Sequence, residues 1–236
     1  MNVDVRKTRI FTEGESLLPF LREFLPSLPE RSVLVVTSKI VALAEGRVEP
    51  FSSDARKEEL IREESEFAIH TKYCWLTVRQ GIPMPSSGID ESNGDGKLIL
   101  LPKDSFRSAA LLREELKESY GVRSLGVIIS DSRTLPFRAG VVGVALGYAG
   151  FRGVRDYRGK PDIFGRLLRL SRTDVADSLA ASAVLGMGEG NEQCPLAVIT
   201  DPPVEFCEVI DPSELSISVE DDMYGPLFSG MKGKGE

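Results

Sequence analysis

The side chains best suited to hold a cation or an anion gather in a few short stretches. Gly88-Ile89-Asp90-Glu91-Ser92-Asn93-Gly94-Asp95-Gly96 packs three carboxylates, one carboxamide and three glycines into nine residues. It is not an EF-hand calcium loop, because the twelfth position counted from Asp90 is Leu101, where that loop needs a bidentate Glu. What is left is a polar loop offering Asp90 as an oxygen ligand and Asn93 as a hydrogen-bonding amide, or else a solvated turn. Asp131-Ser132 ends the apolar run from Leu125 to Ser130. A carboxylate followed by a hydroxyl at a strand end can hold Mg²⁺ or Mn²⁺ beside phosphates, since hard cations take oxygen and keep positions open for substrate. A turn or helix cap is the plainer reading. Arg133 and Arg138 follow and can neutralise phosphate or carboxylate oxygens. Gly188-Glu189-Gly190-Asn191 sets glycines around a polar turn, where backbone N–H groups converge on an anion or a helix simply ends.

A basic island completes the set. Arg152, Arg155, Arg158, Lys160, Arg166, Arg169 and Arg172 stand against only Asp156 and Asp162, an excess of +5 in a chain whose net charge is -7. Such an island suits an anionic ligand, another subunit, or an ion-paired solvated face. The acidic balance argues against a general nucleic-acid binder. A single histidine, His70, with no G-x-S-x-G elbow, leaves little room for a serine hydrolase. Cys74, Cys194 and Cys207 lack C-x-x-C spacing, so neither a disulfide framework nor zinc is indicated and any metal should be held by oxygen. Neither a Rossmann fingerprint nor a P-loop occurs. No signal peptide and no apolar run near the roughly 18 residues of a membrane span is present, so a soluble, cytoplasmic protein is expected.

The elements that must position these groups follow from periodicity. Ser32 to Thr37 reads as a buried strand, followed by a short helix that Gly46 ends. Glu58 to Phe67 reads as a helix, Trp75 to Val78 as a strand, Gly81 to Gly88 as a loop, and Lys97 to Leu101 as a strand. Ser105 to Tyr120 reads as an amphipathic helix stopped by Gly121, and Leu125 to Ser130 as a continuous apolar strand. Gly140 to Gly150 is apolar and glycine-rich. Asp174 to Met187, capped by Thr173, reads as the last long helix, before a strand from Leu196 to Thr200. Strands and helices mix without a regular βαβ repeat, which predicts an α+β fold.

Six stretches in order resemble the coenzyme F420:L-glutamate ligase family: Thr37-Ser38-Lys39-Ile40-Val41, Ala44-Glu45-Gly46-Arg47, Gly88 to Asn93, Gly126 to Ser132, Arg138 to Gly143, and Met187-Gly188-Glu189-Gly190. The likeness covers about residues 5–206 as one ligase domain, with 207–236 as a C-terminal segment expected to be mobile beyond about 220. It implies mixed sheets with packed helices in two interleaved subdomains, and a homodimer. It also implies a reaction in which GTP and two divalent ions, Mg²⁺ or Mn²⁺, add L-glutamate to an anionic cofactor precursor, coenzyme F420-0. By that resemblance Asp90, Asp131, Ser132 and Glu189 ligate metal. Ser38, Lys39, Asn93 and the turn Met187, Gly188, Glu189, Gly190, Asn191, Glu192, Gln193, Cys194 contact nucleotide. With the reaction so implied, Asp131 with Arg133 or Arg138 would serve catalysis, and Arg155, Arg158 and Arg166 of the island would bind the anionic substrates. Leu43 departs from the pattern, standing where members often carry a nucleotide-contacting lysine, which leaves GTP against ATP open. Gly190 to Gln193 and Ser130 to Arg133 look closest to a bacterial branch suspected of glutamylating folate, so a folate acceptor is an alternative. A non-catalytic nucleotide-binding protein and a metal-dependent phosphohydrolase are two others.

Overall fold

A computed structural model describes residues 1–227 of the 236-residue chain. The elements in order are β1 (Asn2–Arg6), α1 (Leu17–Phe24), β2 (Ser32–Thr37), α2 (Ser38–Ala44), β3 (Val48–Pro50) and α3 (Asp54–Glu63). There follow β4 (Phe67–His70), β5 (Trp75–Arg79), β6 (Ile82–Pro85), β7 (Lys97–Ile99) and α4 (Ser105–Tyr120). The last are β8 (Leu125–Thr134), β9 (Val141–Ala149), β10 (Val154–Asp156), β11 (Arg172–Asp174), α5 (Val175–Met187) and β12 (Leu196–Thr200).

Val33 to Val36 is apolar at every position because β2 lies in the middle of a five-stranded sheet, ordered β1-β12-β2-β8-β9, with both faces covered. Leu34 and Val36 face α1, α2 and α4, packing with Phe20, Val41 and Leu112. Val33 and Val35 face α5, packing with Leu179, Ala183 and Met187. Only β2 and β8 pair in parallel; β1 with β12, β12 with β2, and β8 with β9 are antiparallel. With 3-stranded and 2-stranded sheets beside it, the architecture is α+β, as expected.

Residues 48–101 form a smaller layer inserted between α2 and α4, holding β4-β5-β6 and the β3-β7 pair. Met84 and Leu101 pack on Val144 and Leu146 of β9 and join the insert to the main sheet. An ion-pair network adds to this: Glu64 takes Arg47 at 2.6 Å and Arg79 at 2.8 Å, while Arg47 Nε donates to the Leu101 carbonyl at 3.1 Å.

Several elements differ from the sequence reading for physical reasons. The helix expected over 58–67 runs from Asp54 to Glu63, since Ser53 caps it by accepting from Arg56 N, and Phe67 is claimed by its pairing with Val78. The loop expected over 81–88 contains β6, whose prolines 83 and 85 are tolerated because it pairs only with β5. Asp174, not Thr173, caps α5, accepting from Asp177 N. The strand at 125 continues through polar residues to Thr134, held by a hairpin with β9. The expectation of mobility beyond about 220 is a separate matter: it falls in part on 228–236, outside the described residues, while residues 220–227 form turns ending in a short 3-10 turn at Gly225–Leu227.

Candidate functional site

The parallel pairing of β2 with β8 ends with Thr37 opposite Ser130, so the next residues, Ser38 at the start of α2 and Asp131 within β8, stand side by side at the same level. Ser38 Oγ donates to Asp131 Oδ2 at 2.6 Å, and the Ser132 N–H donates to Asp131 Oδ1 at 2.7 Å. Between them these bonds fix the carboxylate's orientation. A bulge where β9 spends one extra residue, Leu146, opposite Ile129 and Ser130 re-aims the chain as it enters the site.

From the insert comes the second carboxylate. Ser86, Ser87 and Gly88 are three consecutive left-handed residues, with φ of 49°, 56° and 68°. Ser87 is held there by its N–H to Thr77 Oγ1 at 2.7 Å and its hydroxyl to the Glu64 carbonyl at 3.0 Å. Gly88 is required because a Cβ would come within 2.7 Å of the Leu101 side chain. The chain is thereby turned so that Asp90 faces α2, where Lys39 Nζ reaches Asp90 Oδ2 at 2.7 Å and the Ser92 carbonyl at 2.9 Å.

The third contribution is the loop after α5. Glu189 Oε2 accepts from Ser132 Oγ at 3.1 Å, and Asn93, left-handed at φ 54°, reaches the Gly190 carbonyl at 3.5 Å. The Gly188–Gly190 turn does bind an anion, but one of the protein's own: Gly190 N–H donates to Glu192 Oε2 at 2.8 Å. A Cβ on Gly188 would fall 2.5 Å from the same carboxyl carbon.

Together these segments line a cleft of about 750 Å³. Every residue expected to contact nucleotide or metal lines it: Ser38, Lys39, Asp90, Asn93, Asp131, Ser132 and the whole turn from Met187 to Cys194. Apolar side chains also line it, among them Phe11, Ile40, Leu43, Ile99 and Val184. Leu43 therefore does stand in the cleft.

Other expected residues lie elsewhere. Arg133 is turned away to Asp177 of α5 at 3.1 Å, and Arg138 is exposed on the β8–β9 hairpin; neither lines the cleft. Arg155, Arg158 and Arg166 also stand outside it, because β10, β11 and the loop between them carry the basic island into solvent. Sequence reading missed Thr8, Arg9, Ile10 and Phe11, which line the cleft because Thr8 N–H bonds the Gln193 carbonyl at 2.9 Å. No motif marks that pairing. Ser92, two residues after Asp90 and donating both N–H and hydroxyl to it, was legible as an Asx-type turn.

The two carboxylates differ electrostatically. Burial pushes the Asp131 carboxyl above the usual range, outweighing the Ser38 and Ser132 hydrogen bonds and the Lys39 charge, and nearby Asp90 adds to the rise. For Asp90, burial acts in the same direction, but the hydrogen bonds from Lys39 and Ser92 overcome it and hold the carboxyl low. Asp131 is thus an enclosed carboxylate whose direct partners among the described residues are a hydroxyl and an N–H, with no bonded cation. That arrangement, with Ser132 Oγ and Glu189 alongside, has the all-oxygen chemistry of a Mg²⁺ or Mn²⁺ site. No three His, Cys, Asp or Glu side chains converge as a closed cage among the described residues. Mg²⁺ seldom uses one: one or two carboxylates, waters and substrate phosphates suffice. No helix among the described residues is long and apolar enough to cross a membrane.

Comparison with known proteins agrees with the geometry. A coenzyme F420:L-glutamate ligase from Methanopyrus kandleri is 36% identical over 204 residues, covering 78% of this chain and 80% of the relative. Its counterpart from Methanothermobacter thermautotrophicus is 35% identical over 206 residues, covering 79% and 81%. That from Archaeoglobus fulgidus is 33% identical over 208 residues, covering 80% and 83%. Residues 6–201 match the family described as F420-0:Gamma-glutamyl ligase, and the chain belongs to that family.

Proposed function

We propose that the protein is a cytoplasmic, homodimeric ligase that uses GTP and a divalent cation to join L-glutamate to the carboxylate of a coenzyme F420-0-type precursor. The names of its relatives support the reaction. The observation that carries the reading for this chain is the meeting, in one cleft, of Asp90, Asp131, Ser132 and Glu189 with the glycine turn at 188–190.

A carboxylate is a poor electrophile in water, so it must be activated. An oxygen of the acceptor carboxylate bonds to the γ-phosphorus, the bond to the β–γ bridging oxygen breaks, and GDP leaves. The glutamate nitrogen, having given up one ammonium proton, then bonds to the acyl carbon; inorganic phosphate departs and a second proton is released as the amide forms. Divalent cations held by Asp90, Asp131, Ser132 and Glu189 would supply neutralisation of the triphosphate oxygens. Ser38 and the Ser132 N–H keep the Asp131 carboxylate in one orientation, and Lys39 does the same for Asp90. Lys39 and the turn from 187 to 194, which line the cleft, would contact the nucleotide, and the apolar side chains of its lining would take a ring.

The test is a mass-spectrometric assay of purified protein with GTP or ATP, Mg²⁺ or Mn²⁺, L-glutamate, and either coenzyme F420-0 or a reduced folate. A glutamate-sized gain on coenzyme F420-0 supports the reading. A gain on folate alone moves the acceptor and keeps the chemistry, whereas phosphate release without glutamate points to a phosphohydrolase. Asp131→Asn should lose activity by about 10²-fold or more while its circular dichroism matches wild type. A fully active variant would sink the assignment.

A further inference from the structure

Asp177 stands outside the cleft, but both of its side-chain oxygens hold strands that build it. Oδ1 accepts from the Ala145 N–H of β9 at 3.0 Å, and Oδ2 accepts from Arg133 Nη2 of β8 at 3.1 Å. The residue lies in the first turn of α5, where an acidic side chain ordinarily serves the free N–H groups of the helix end. Other groups meet that need here. Asp174 caps the helix by accepting from the Asp177 N–H at 2.9 Å, and the Gly153 carbonyl takes the N–H groups of Val175 and Ala176. The Asp177 carboxylate is therefore free to turn to the sheet, where its side chain is only 20% exposed and that of Arg133 28%.

Ala145 is paired opposite Ser130, next to the bulge at Leu146, and Ser130 directly precedes Asp131. Arg133 directly follows Ser132. One carboxylate thus grips β8 and β9 on either side of the residues that present Asp131 and Ser132 to the cleft. It does so from the helix whose other end leads to Glu189, which meets Ser132 Oγ at 3.1 Å. From Asp177 to Met187 the helix runs roughly 15 Å, at about 1.5 Å per residue. Its buried face is apolar, with Ala176, Leu179, Ala180 and Ala183 against the sheet. Packing of that kind is non-directional, whereas hydrogen bonds fix a register. Among the described residues no other side chain of α5 makes a polar bond to β8 or β9, because Ser178 and Ser182 bond carbonyls one turn back, at Asp174 and Ser178.

We propose that Asp177 is a positioning residue for the reaction: its carboxylate indexes α5 against β8 and β9, and so sets where Glu189 stands relative to Asp131 and Ser132. This rests on the reading of Asp131, Ser132 and Glu189 as groups that hold a divalent cation.

The experiment compares full-length wild type, Asp177→Ala and Asp177→Asn in Mn²⁺ titrations of the nucleotide-free protein, read from the electron paramagnetic resonance signal of the free ion. Ligase kinetics and thermal melts accompany them. Asp177→Ala should bind Mn²⁺ about tenfold or more weakly and lose about 10-fold to 10²-fold in kcat at temperatures where it is fully folded. Asp177→Asn keeps an oxygen for the Ala145 N–H and should lie nearer to wild type in both. A merely structural role would lower the melting temperature of Asp177→Ala and leave Mn²⁺ affinity and kcat at wild-type values, which overturns the proposal. Should Asp177→Ala not fold, Asp177→Asn decides: Mn²⁺ binding about threefold or more weaker than wild type supports the proposal, and wild-type affinity overturns it. Asp131→Asn separates the two readings. Mn²⁺ binding that Asp131→Asn abolishes and Asp177→Ala leaves unchanged overturns the role of Asp177 alone, whereas a wild type that takes up no Mn²⁺ overturns the cation site with it.

Discussion

Gly143→Ala tests the link between the packing of the sheet and the geometry of the cleft. Gly143 lies opposite Ser132 in the β8–β9 ladder, beneath α5. A Cβ there would stand 2.6 Å from the Ala180 carbonyl oxygen and 2.8 Å from Val184 Cβ and Cγ2. Comfortable carbon contacts lie at about 3.5–4.0 Å, so α5 must retreat by roughly 1 Å. Overpacking of this kind costs about 1–3 kcal/mol. At about 2–4 °C per kcal/mol for a chain of this size, the melting temperature should fall by roughly 3–10 °C. The functional effect should be larger in proportion. Helix α5 delivers Met187 and the 188–194 turn, and Glu189 meets Ser132 directly, so a shift near 1 Å displaces one wall of the cleft relative to Asp131. Misplacement on that scale costs up to about 10²-fold in rate. Gly121→Ala is the control: Gly121 is left-handed at φ 67° at the end of α4 with open space around it, so alanine is strained there by about 1–2 kcal/mol without touching the cleft. Thermal melts and the ligase assay should then show similar stability losses but a loss of turnover only in Gly143→Ala. Wild-type melting and turnover in Gly143→Ala would refute the close approach of α5 to β9.

Two more outcomes can be checked. Glu192→Ala frees the Gly190 N–H from its internal anion, so nucleotide should bind about fivefold more tightly by calorimetry, the equivalent of about 1 kcal/mol for one hydrogen bond; unchanged or weaker binding would mean that Glu192 does not compete for the turn. Glu208 is held at about 2 by hydrogen bonds from Arg113 and Lys117. Because the folded value is depressed, the stabilisation is complete above the unfolded value near 4.5 and is lost as pH falls toward 2. Limited proteolysis across that range should show cleavage within 207–227 increasing as pH drops, and Glu208→Gln should remove most of the pH dependence.

The parts of the fold legible in the sequence were those whose neighbours impose a simple period. β2, β8 and β12 read as apolar runs because helices cover both faces of the central sheet, and Ser105 to Tyr120 reads as a helix because Gly121 ends it in the left-handed region. The insert was harder to read. Its strands are short, two prolines sit in β6, and the start of α3 rests on one serine cap. In the site, the carboxylates and the glycine turn were legible because their types are unusual together. The direction of the arginines was not: Arg133 is drawn to Asp177 on α5, and the island rides a ribbon whose course depends on pairings such as Gly159 with Leu168. The N-terminal lining, Thr8 to Phe11, is fixed by a backbone bond to Gln193, which no side-chain pattern announces.

The order of the central sheet also bears on how the chain is made. β2 lies between β8, which begins at Leu125, and β12, which begins at Leu196, while β1 pairs only with β12. During synthesis Val33 to Val36 therefore emerges long before either neighbour, and one of its edges stays unpaired until almost the whole chain has left the ribosome. Pairings this distant form slowly, and a bare apolar edge is a template for association with other chains. Ser38 and Asp131 come together only through the β2–β8 pairing, so nascent chains stalled before it would be both inactive and prone to aggregate. Holding chaperones, or the translation rate ahead of β8, would then act on the yield of active protein without any change within the cleft.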